Sequence, residues 1–268
     1  MATYFPTGYT LPIGDQPLSH ARMLHSRNWL AGGTVAASST DADFFAAGPL
    51  NSLTYERWRP GTMGATWTYD HGSAVLGDAA CIAAHSIGTS GASVEVLTSS
   101  NNVTYTLRIG PISPTDDEAL WLFLAPVTAR YWRIRLTGAL RPRIGAIRFG
   151  RALQFPRPMF AGHTRVRFAR ETVLRTNHSD TGEWLGRSIQ RVQRPTSYQW
   201  QHLPRAWTEA NWPTLQRAVE AEPFWLSWRP DDYGDVGYFQ TDSVPEAVTM
   251  GIRDLYEAGI EVRGYSHA

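Results

Sequence analysis

A chain of 268 residues with 43% hydrophobic content is long enough for one large or two ordinary domains, each with its own core. A formal charge of +1 gives no general reason to expect nucleic acid or an anionic membrane as a partner. No stretch approaches the roughly 20 apolar residues of a spanning helix, and the opening MATYFPTGYTLPIGDQ lacks the plan of a signal peptide. Cytoplasmic synthesis without membrane insertion is the expectation.

The lone Cys81 lies in the apolar run from Asp78 to Ala84, which excludes an intrachain disulfide framework and a thiolate metal cluster and reads as a small buried hydrophobe. All 25 basic residues are Arg, a bias that suits bidentate interface contacts but that a GC-rich coding sequence, the favoured reading, also produces. Eleven Trp and eleven Tyr favour protein interfaces or sugar-stacking surfaces over an ordinary enzyme core.

After an N-terminal arm over residues 1–16, the first half reads as short strands parted by Gly, Ser, Asn and Pro turns, with no helical periodicity. That pattern predicts a β-sandwich. The expected strands are 65–69, 79–85, 93–97, 105–109, 120–124 and 131–137, separated by turns at 71–73, 88–91, 99–102 and 111–117. In 131–137, alternation places Trp132, Ile134 and Leu136 on a core face and Arg133, Arg135 and Thr137 on a wet or contact face.

A boundary is expected near 149–158, where GRALQFPRP suits an extended linker. Beyond it come β segments at 164–176 and 188–203, then one helix at about 207–222, with Asn211 as its cap, Pro213 in its first turn and Trp212, Leu215 and Val219 as its apolar stripe. Strands at 223–230, 236–240 and 258–265 follow. Charge is uneven: residues 151–205 hold ten Arg against three acids, net +7, and residues 206–268 hold four Arg against eleven acids, net −7. The two segments either cancel locally within one small domain, the favoured reading, or present complementary faces to neighbouring copies.

The succession NSLTYERWRPG (51–61), ATWTYDHGSA (65–74), CIAAHSIGTSGASVEVLTSSNNVTYT (81–106), ARYWRIRLTG (129–138) and IGAIRFG (144–150) resembles the discoidin-like, galactose-binding-like (coagulation factor C-type) module. The match spans residues 17–150; His71 stands where that family has an apolar residue, and the family's terminal cysteine pair is missing. The resemblance implies a jelly roll that binds sugar through loops at one end. The second half, through GEWLGRS (182–188), SYQWQHL (197–203) and PFWLSWRPDDYGDVGYFQT (223–241), resembles the distal tail and minor tail (baseplate) proteins of tailed phages. That resemblance implies a β-barrel with one flanking helix over residues 151–268. It further implies a ring of the chain with itself, a hexamer in preference to a trimer, at the tail tip of a virion, touching tail-tube and hub or fibre proteins. The fold class expected is therefore mainly β: a jelly roll followed by a barrel. The expected function is a structural tail-tip component whose jelly roll contacts host glycan or a neighbouring tail protein. The alternatives are an adaptor with no sugar binding, and a cellular carbohydrate-binding module or sugar-acting enzyme.

Carbohydrate candidates on this reading are Arg57, His71, His85 and Asn101; Trp58 and Trp67 also lie in the loops but read as core. Asp41 and Asp43 are the candidate Ca²⁺ ligands, with no cofactor as the preferred expectation. Arg133, Arg135, Trp207 and Trp225 are the interface candidates. The set Trp200, Trp207, Trp212, Trp225 and Trp228 reads as core and subunit contact rather than a stacking platform. No metalloprotease, nucleophile-elbow, P-loop or Cys–His pattern occurs, and the acid groups 116–118 and Asp231, Asp232, Asp235 read as solvated turns, so no catalysis is expected.

Overall fold

The computed structural model describes residues 2–160, 162–231, 235–251 and 254–266. The first half contributes β1 (Ala2–Tyr4), β2 (Arg22–Leu24), β3 (Thr34–Ala37), β4 (Thr66–His85), a short helix α1 (Ile87–Ser90) and β5 (Ser93–Ser99). It continues with β6 (Thr106–Ile112), β7 (Leu120–Thr137) and β8 (Ile144–Gly150). β4 and β7 are double-length strands of 20 and 18 residues: β4 runs through the turn expected at 71–73, and β7 joins the expected strands 120–124 and 131–137. Register shifts at Asp70/Val75 and Gly77/Ala79 bend the pair without breaking it, as bulges do.

That bend divides one sheet into two layers. β3, the first half of β4, the second half of β7, β5 and β6 form one layer; β8, the second half of β4, the first half of β7 and the parallel strand β1 form the other. Trp67, Val96, Ile109, Trp132 and Ile134 from the first layer meet Ile82, Leu122 and Ile147 from the second in one buried cluster. The expected sandwich and the inward Trp132–Ile134–Leu136 face are present.

The second sheet is built from β9 (Leu153–Gln154), β10 (Glu171–His178), β11 (Trp184–Pro204), β12 (Phe224–Ser227), β13 (Val236–Gln240), β14 (Ala247–Thr249) and β15 (Leu255–Gly264), with helix α2 (Arg205–Ala221) packed on one side. Its strand order is β10-β11-β15-β13-β12-β2-β9, with β14 added on β15. β9 and β10 at the two ends do not pair, so the sheet is open and the expected barrel is not closed. The mainly β class itself holds, with 48% of residues in strands and 9% in helices.

Two arrangements depart from the expected organisation. β1, from the predicted arm, pairs with β7, and β2 leaves the first half to pair with β12 and β9 in the second sheet. β2 can do so because Met23 and Leu24 point to opposite, separately buried clusters. Helix α2 begins at Arg205, with Pro204 at its cap position; Asn211 lies inside the helix, where its amide donates to the Trp207 carbonyl at 2.8 Å, and Pro213 is also interior. The expected stripe survives: Trp212, Leu215 and Val219 pack with Tyr198, Trp200, Phe224, Leu226 and Phe239.

The sheets stack. Along β12, Phe224 and Leu226 face the helix side, while Trp225 faces the sandwich. There it joins Leu24, Val236 and Tyr238 against Ala79, Cys81, Ala83, Trp121, Phe123 and Ala146 of β4, β7 and β8. β4 is therefore covered on both faces, which explains its unbroken apolar run; its alanines let the second sheet approach closely. Cys81 is fully buried there, and burial pushes its thiol pKa well up.

Gly150 marks another close approach, since a Cβ there would lie 2.4 Å from the Asn28 carbonyl oxygen and 2.6 Å from the Trp29 Cα. Both obstacles are backbone. Gly150→Ala is expected to lower stability by about 1–3 kcal/mol, read as a reduced urea midpoint with unchanged slope.

Candidate functional site

The loops at one end of the sandwich are fastened from below by His85, the last residue of β4. Its ring is buried; Nε2 donates to the Glu118 carbonyl at 2.7 Å and Nδ1 accepts the Ile87 N–H at 3.2 Å, which fixes a neutral tautomer. Burial lowers its pKa to about 4, despite the bond to Glu118 and the nearby Asp117 and Asp116. The adjoining turn is laced to the β7–β8 loop: the Ser86 N–H donates to the Arg143 carbonyl and the Arg143 N–H to the Ser86 hydroxyl, both at 2.9 Å. Trp58 and Ile144 exchange two backbone bonds of 2.9 Å, fixing the segment that follows Trp58 beside the same loop.

Between these segments opens a cleft of about 750 Å³. Arg59, Arg141 and Arg143 supply guanidinium groups, Thr62, Ser86, Thr89 and Ser90 supply hydroxyls, and Met63 and Leu140 form an apolar wall. Arg141 is preorganised by bonds to the Gly61 carbonyl at 2.9 Å and to Asp41 at 3.1 Å, and Arg59 lies 3.8 Å from the same carboxylate. Thr89 is held by Asp117 through both its backbone N–H and its hydroxyl. Two of the three arginines thus share the Asp41 carboxylate, and the exposed Arg143 adds a third cation to the cleft wall.

Most residues singled out in the sequence fall elsewhere. His85 presents no free ring nitrogen to a ligand, because both are used within the fold. Asn101 shapes its own turn: its side-chain oxygen accepts the N–H groups of Val103 and Thr104, at 2.9 and 3.0 Å. His71 is half-buried beside Ser73 in the bend of β4. It and Asn101 lie at the end of the β4–β5–β7 ladder opposite the cleft. Arg57 points toward the second sheet, donating to the Thr54 carbonyl at 2.9 Å and to the Tyr265 hydroxyl at 3.5 Å. The four carbohydrate candidates do not converge. Trp58 and Trp67 are core, their indole N–H groups donating to the Ser39 and Ala46 carbonyls.

Asp41 is committed to Arg141 and Arg59, and Asp43 is exposed; among the described residues no three His, Cys, Asp or Glu side chains gather as a metal would need. Asp117 and Glu118 anchor α1 and Arg194 respectively. Asp235 is fully buried, accepting from Arg165 at 3.0 Å and from the Trp228 indole at 2.7 Å, while Asp231 pairs with Arg229 and Asp232 lies outside the described residues. These acids serve structure.

On the outer face of the sandwich, Arg133 donates to the Thr68 hydroxyl at 2.8 Å and stacks over Tyr105 at 3.5 Å, and Arg135 pairs with Glu95. Arg130 grips Asp70 with bonds of 2.7 and 2.9 Å, which hold that carboxyl below its usual range. Trp207 packs on Phe155 and donates to the Gln154 carbonyl at 3.1 Å; Trp225 lies between the two sheets. Both engage their own chain, and Trp225 offers nothing to a neighbour.

Arg59, Arg141 and Arg143 were absent from the sequence-based set. The available signal was a pair of Arg-Pro steps, RPG at 59–61 and RPR at 141–143, where proline forces the preceding arginine out of helical conformation in a loop.

No family model matches the chain, and no curated protein matches it. Among solved structures it is similar to a carbohydrate-binding module, CBM32 of AlyQ, in complex with 4,5-unsaturated mannuronic acid (21% identity, TM-score 0.41, covering 45% of this chain and 96% of that one). A chitosan-binding module from a Paenibacillus sp. IK-5 chitosanase/glucanase is similar at 19% identity and TM-score 0.40, over 47% of this chain and 99% of that one. CBM32-1 from a family 31 glycoside hydrolase of Clostridium perfringens is similar at 13% identity and TM-score 0.40, over 47% and 98%. The sandwich assignment rests on strand order and register, not on these likenesses.

Proposed function

We propose that the chain is a non-catalytic carbohydrate-binding protein whose sandwich holds a saccharide in the Arg59–Arg141–Arg143 cleft. The observation that carries this reading is the convergence of three guanidinium groups, several hydroxyls and an apolar wall in one preorganised cleft. Planar guanidinium forks match pairs of sugar hydroxyls or a carboxylate, and Met63 with Leu140 offers a surface for the C–H face of a ring. The surplus of cations over Asp41 favours acidic sugars over neutral ones.

Titration calorimetry of the full chain against uronate and neutral oligosaccharides tests this. Arg143→Ala, which removes an exposed donor, is expected to weaken uronate binding about tenfold, or about 1.4 kcal/mol, without shifting Tm. Absence of binding to any saccharide at millimolar concentration sinks the proposal.

A second reading keeps the chain as a ring-forming component of a phage tail tip, made in the host cytoplasm and carried in the virion, with the sandwich turned outward to glycan or fibre. The β10–β11 hairpin supports it: the first ten residues of β11 pair with β10 alone, and Leu174, Trp184 and Ile189 are exposed on it, as on an arm that contacts a neighbour. Electron microscopy of the purified chain and of virions tests it; a monomer that never enters a particle rules it out.

A further inference from the structure

At Arg194 and Gly264, the last facing pair of β11 and β15, the second sheet forks. β11 continues toward Arg191 with β10 as its partner, while the chain beyond Gly264 keeps to β13, the Tyr265 N–H donating to the Tyr238 carbonyl at 2.8 Å. Residues 51–55 of the sandwich form the third side of the fork. They are fastened to the second sheet: the Ser52 hydroxyl donates to the Glu222 carboxylate, and the Ser52 carbonyl accepts from the Tyr238 hydroxyl at 3.4 Å. The three segments enclose a pocket of about 340 Å³ at the junction of the two halves, a size and a place that suit a small ligand.

Its walls are apolar and aromatic. Leu53, Tyr55, Val192, Tyr238 and Tyr265 line it, and Leu53 and Tyr55 remain 46% and 73% exposed although the loop that carries them is tied down on both sides. Large side chains left bare in a preformed concavity mark a binding surface. The charged groups are of one sign. No Asp or Glu lines the pocket among the described residues, whereas Arg191 and Arg263 do. Arg263 is neutralised by Asp242 and by Glu171, the latter at 2.9 Å. Arg191 is exposed and has no hydrogen-bond or ion-pair partner among the described residues. Next to it in the same corner, Arg57 donates only to uncharged oxygens, the Thr54 carbonyl at 2.9 Å and the Tyr265 hydroxyl at 3.5 Å.

We infer that this junction pocket binds a small aromatic carboxylate, its ring against Tyr55 and Tyr265 and its carboxylate on Arg191. A flat ring matches the phenol faces, and a carboxylate matches the guanidinium fork. A cation would meet the unpaired Arg191, and a saccharide would bring hydroxyls that the apolar wall leaves without partners. The pocket shares no lining residue with the Arg59–Arg141–Arg143 cleft, so the inference stands apart from saccharide binding.

A ligand-observed NMR titration of the full chain with indole-3-acetate and with indole-3-acetamide, which share a ring and differ in charge, tests this. The acetate is expected to bind in the sub-millimolar range and the amide about tenfold more weakly. Tyr55→Ser should weaken both ligands about fivefold or more, whereas Arg191→Gln should weaken the acetate alone, down to the level of the amide. Both side chains are exposed, so Tm should not move. Arg143→Ala, which acts on the saccharide cleft, should leave both titrations as in the wild type. No acetate binding at millimolar concentration, an amide that binds as tightly as the acetate, unchanged binding in Tyr55→Ser, or binding lost in Arg143→Ala would each overturn the inference.

Discussion

Trp225→Ala is expected to cost about 3–5 kcal/mol of stability, while Trp225→Phe costs about 1 kcal/mol. Trp225 is fully buried, with its ring 4.4 Å from that of Tyr238 and set edge-on to Trp29 at 6.2 Å, in the cluster that joins the second sheet to the sandwich. Truncation leaves a large cavity between two β layers whose backbones are tied by their own ladders and cannot collapse to fill it. Phenylalanine restores most of that volume and removes an indole N–H that has no acceptor among the described residues, so part of the lost contact is offset. Urea unfolding of the three proteins checks this. Equal losses in both variants would show that the indole nitrogen matters and that the layer contact is not dominated by packing.

The same cluster explains what the sequence conveyed and what it did not. The run 79–85 announces burial because both of its faces are covered, and 131–137 announces a single buried face through Trp132, Ile134 and Leu136. Both are local signals. The three residues of β2 carry no period at all; their place in the second sheet is decided by pairing with β12, about 200 residues further along the chain, where Met23 and Leu24 enter separate cores, a long-range outcome. Barrel closure likewise depends on whether β9 and β10 meet, which no local pattern encodes. The helix start was misplaced because Asn211 and Pro213 mimic an N-terminus, while the actual cap position is held by Pro204 without a side-chain bond. Of the turns read from the sequence, only 88–91 borders the cleft, while 71–73 and 99–102 lie at the opposite end of the sandwich. His85 adjoins the GTSG turn, yet its ring points into the core, and the arginines that line the cleft come from turns some 80 residues apart.

Acidification from pH 7 to 4 is expected to remove about 3 kcal/mol of stability through three buried groups of opposing sign. His25 and His85 have pKa values lowered to about 4, in each case chiefly by burial. In the unfolded chain these histidines take up protons below about 6.5, whereas the native protein resists doing so until about 4. Their contribution is thus fully present above pH 6.5 and is lost as pH falls through that window, at about 1.4 kcal/mol per pH unit for each histidine. Asp78 works the other way. Burial raises its pKa to about 6, only partly countered by the Ala152 N–H at 2.8 Å and by Arg151, so the native state holds a proton there that the unfolded state releases near 4. Acidification through that range therefore returns about 3 kcal/mol, against about 6 lost from the two histidines. Two variants separate the contributions. His85→Gln should roughly halve the histidine loss, and Asp78→Asn, which keeps an oxygen to accept the Ala152 N–H, should steepen the decline between pH 6 and 4 because the opposing group is gone. Urea midpoints at pH 7, 5.5 and 4.5 measure all three slopes, and a decline in Asp78→Asn no steeper than in the wild type would show that Asp78 ionises in the folded protein as it does in the unfolded chain.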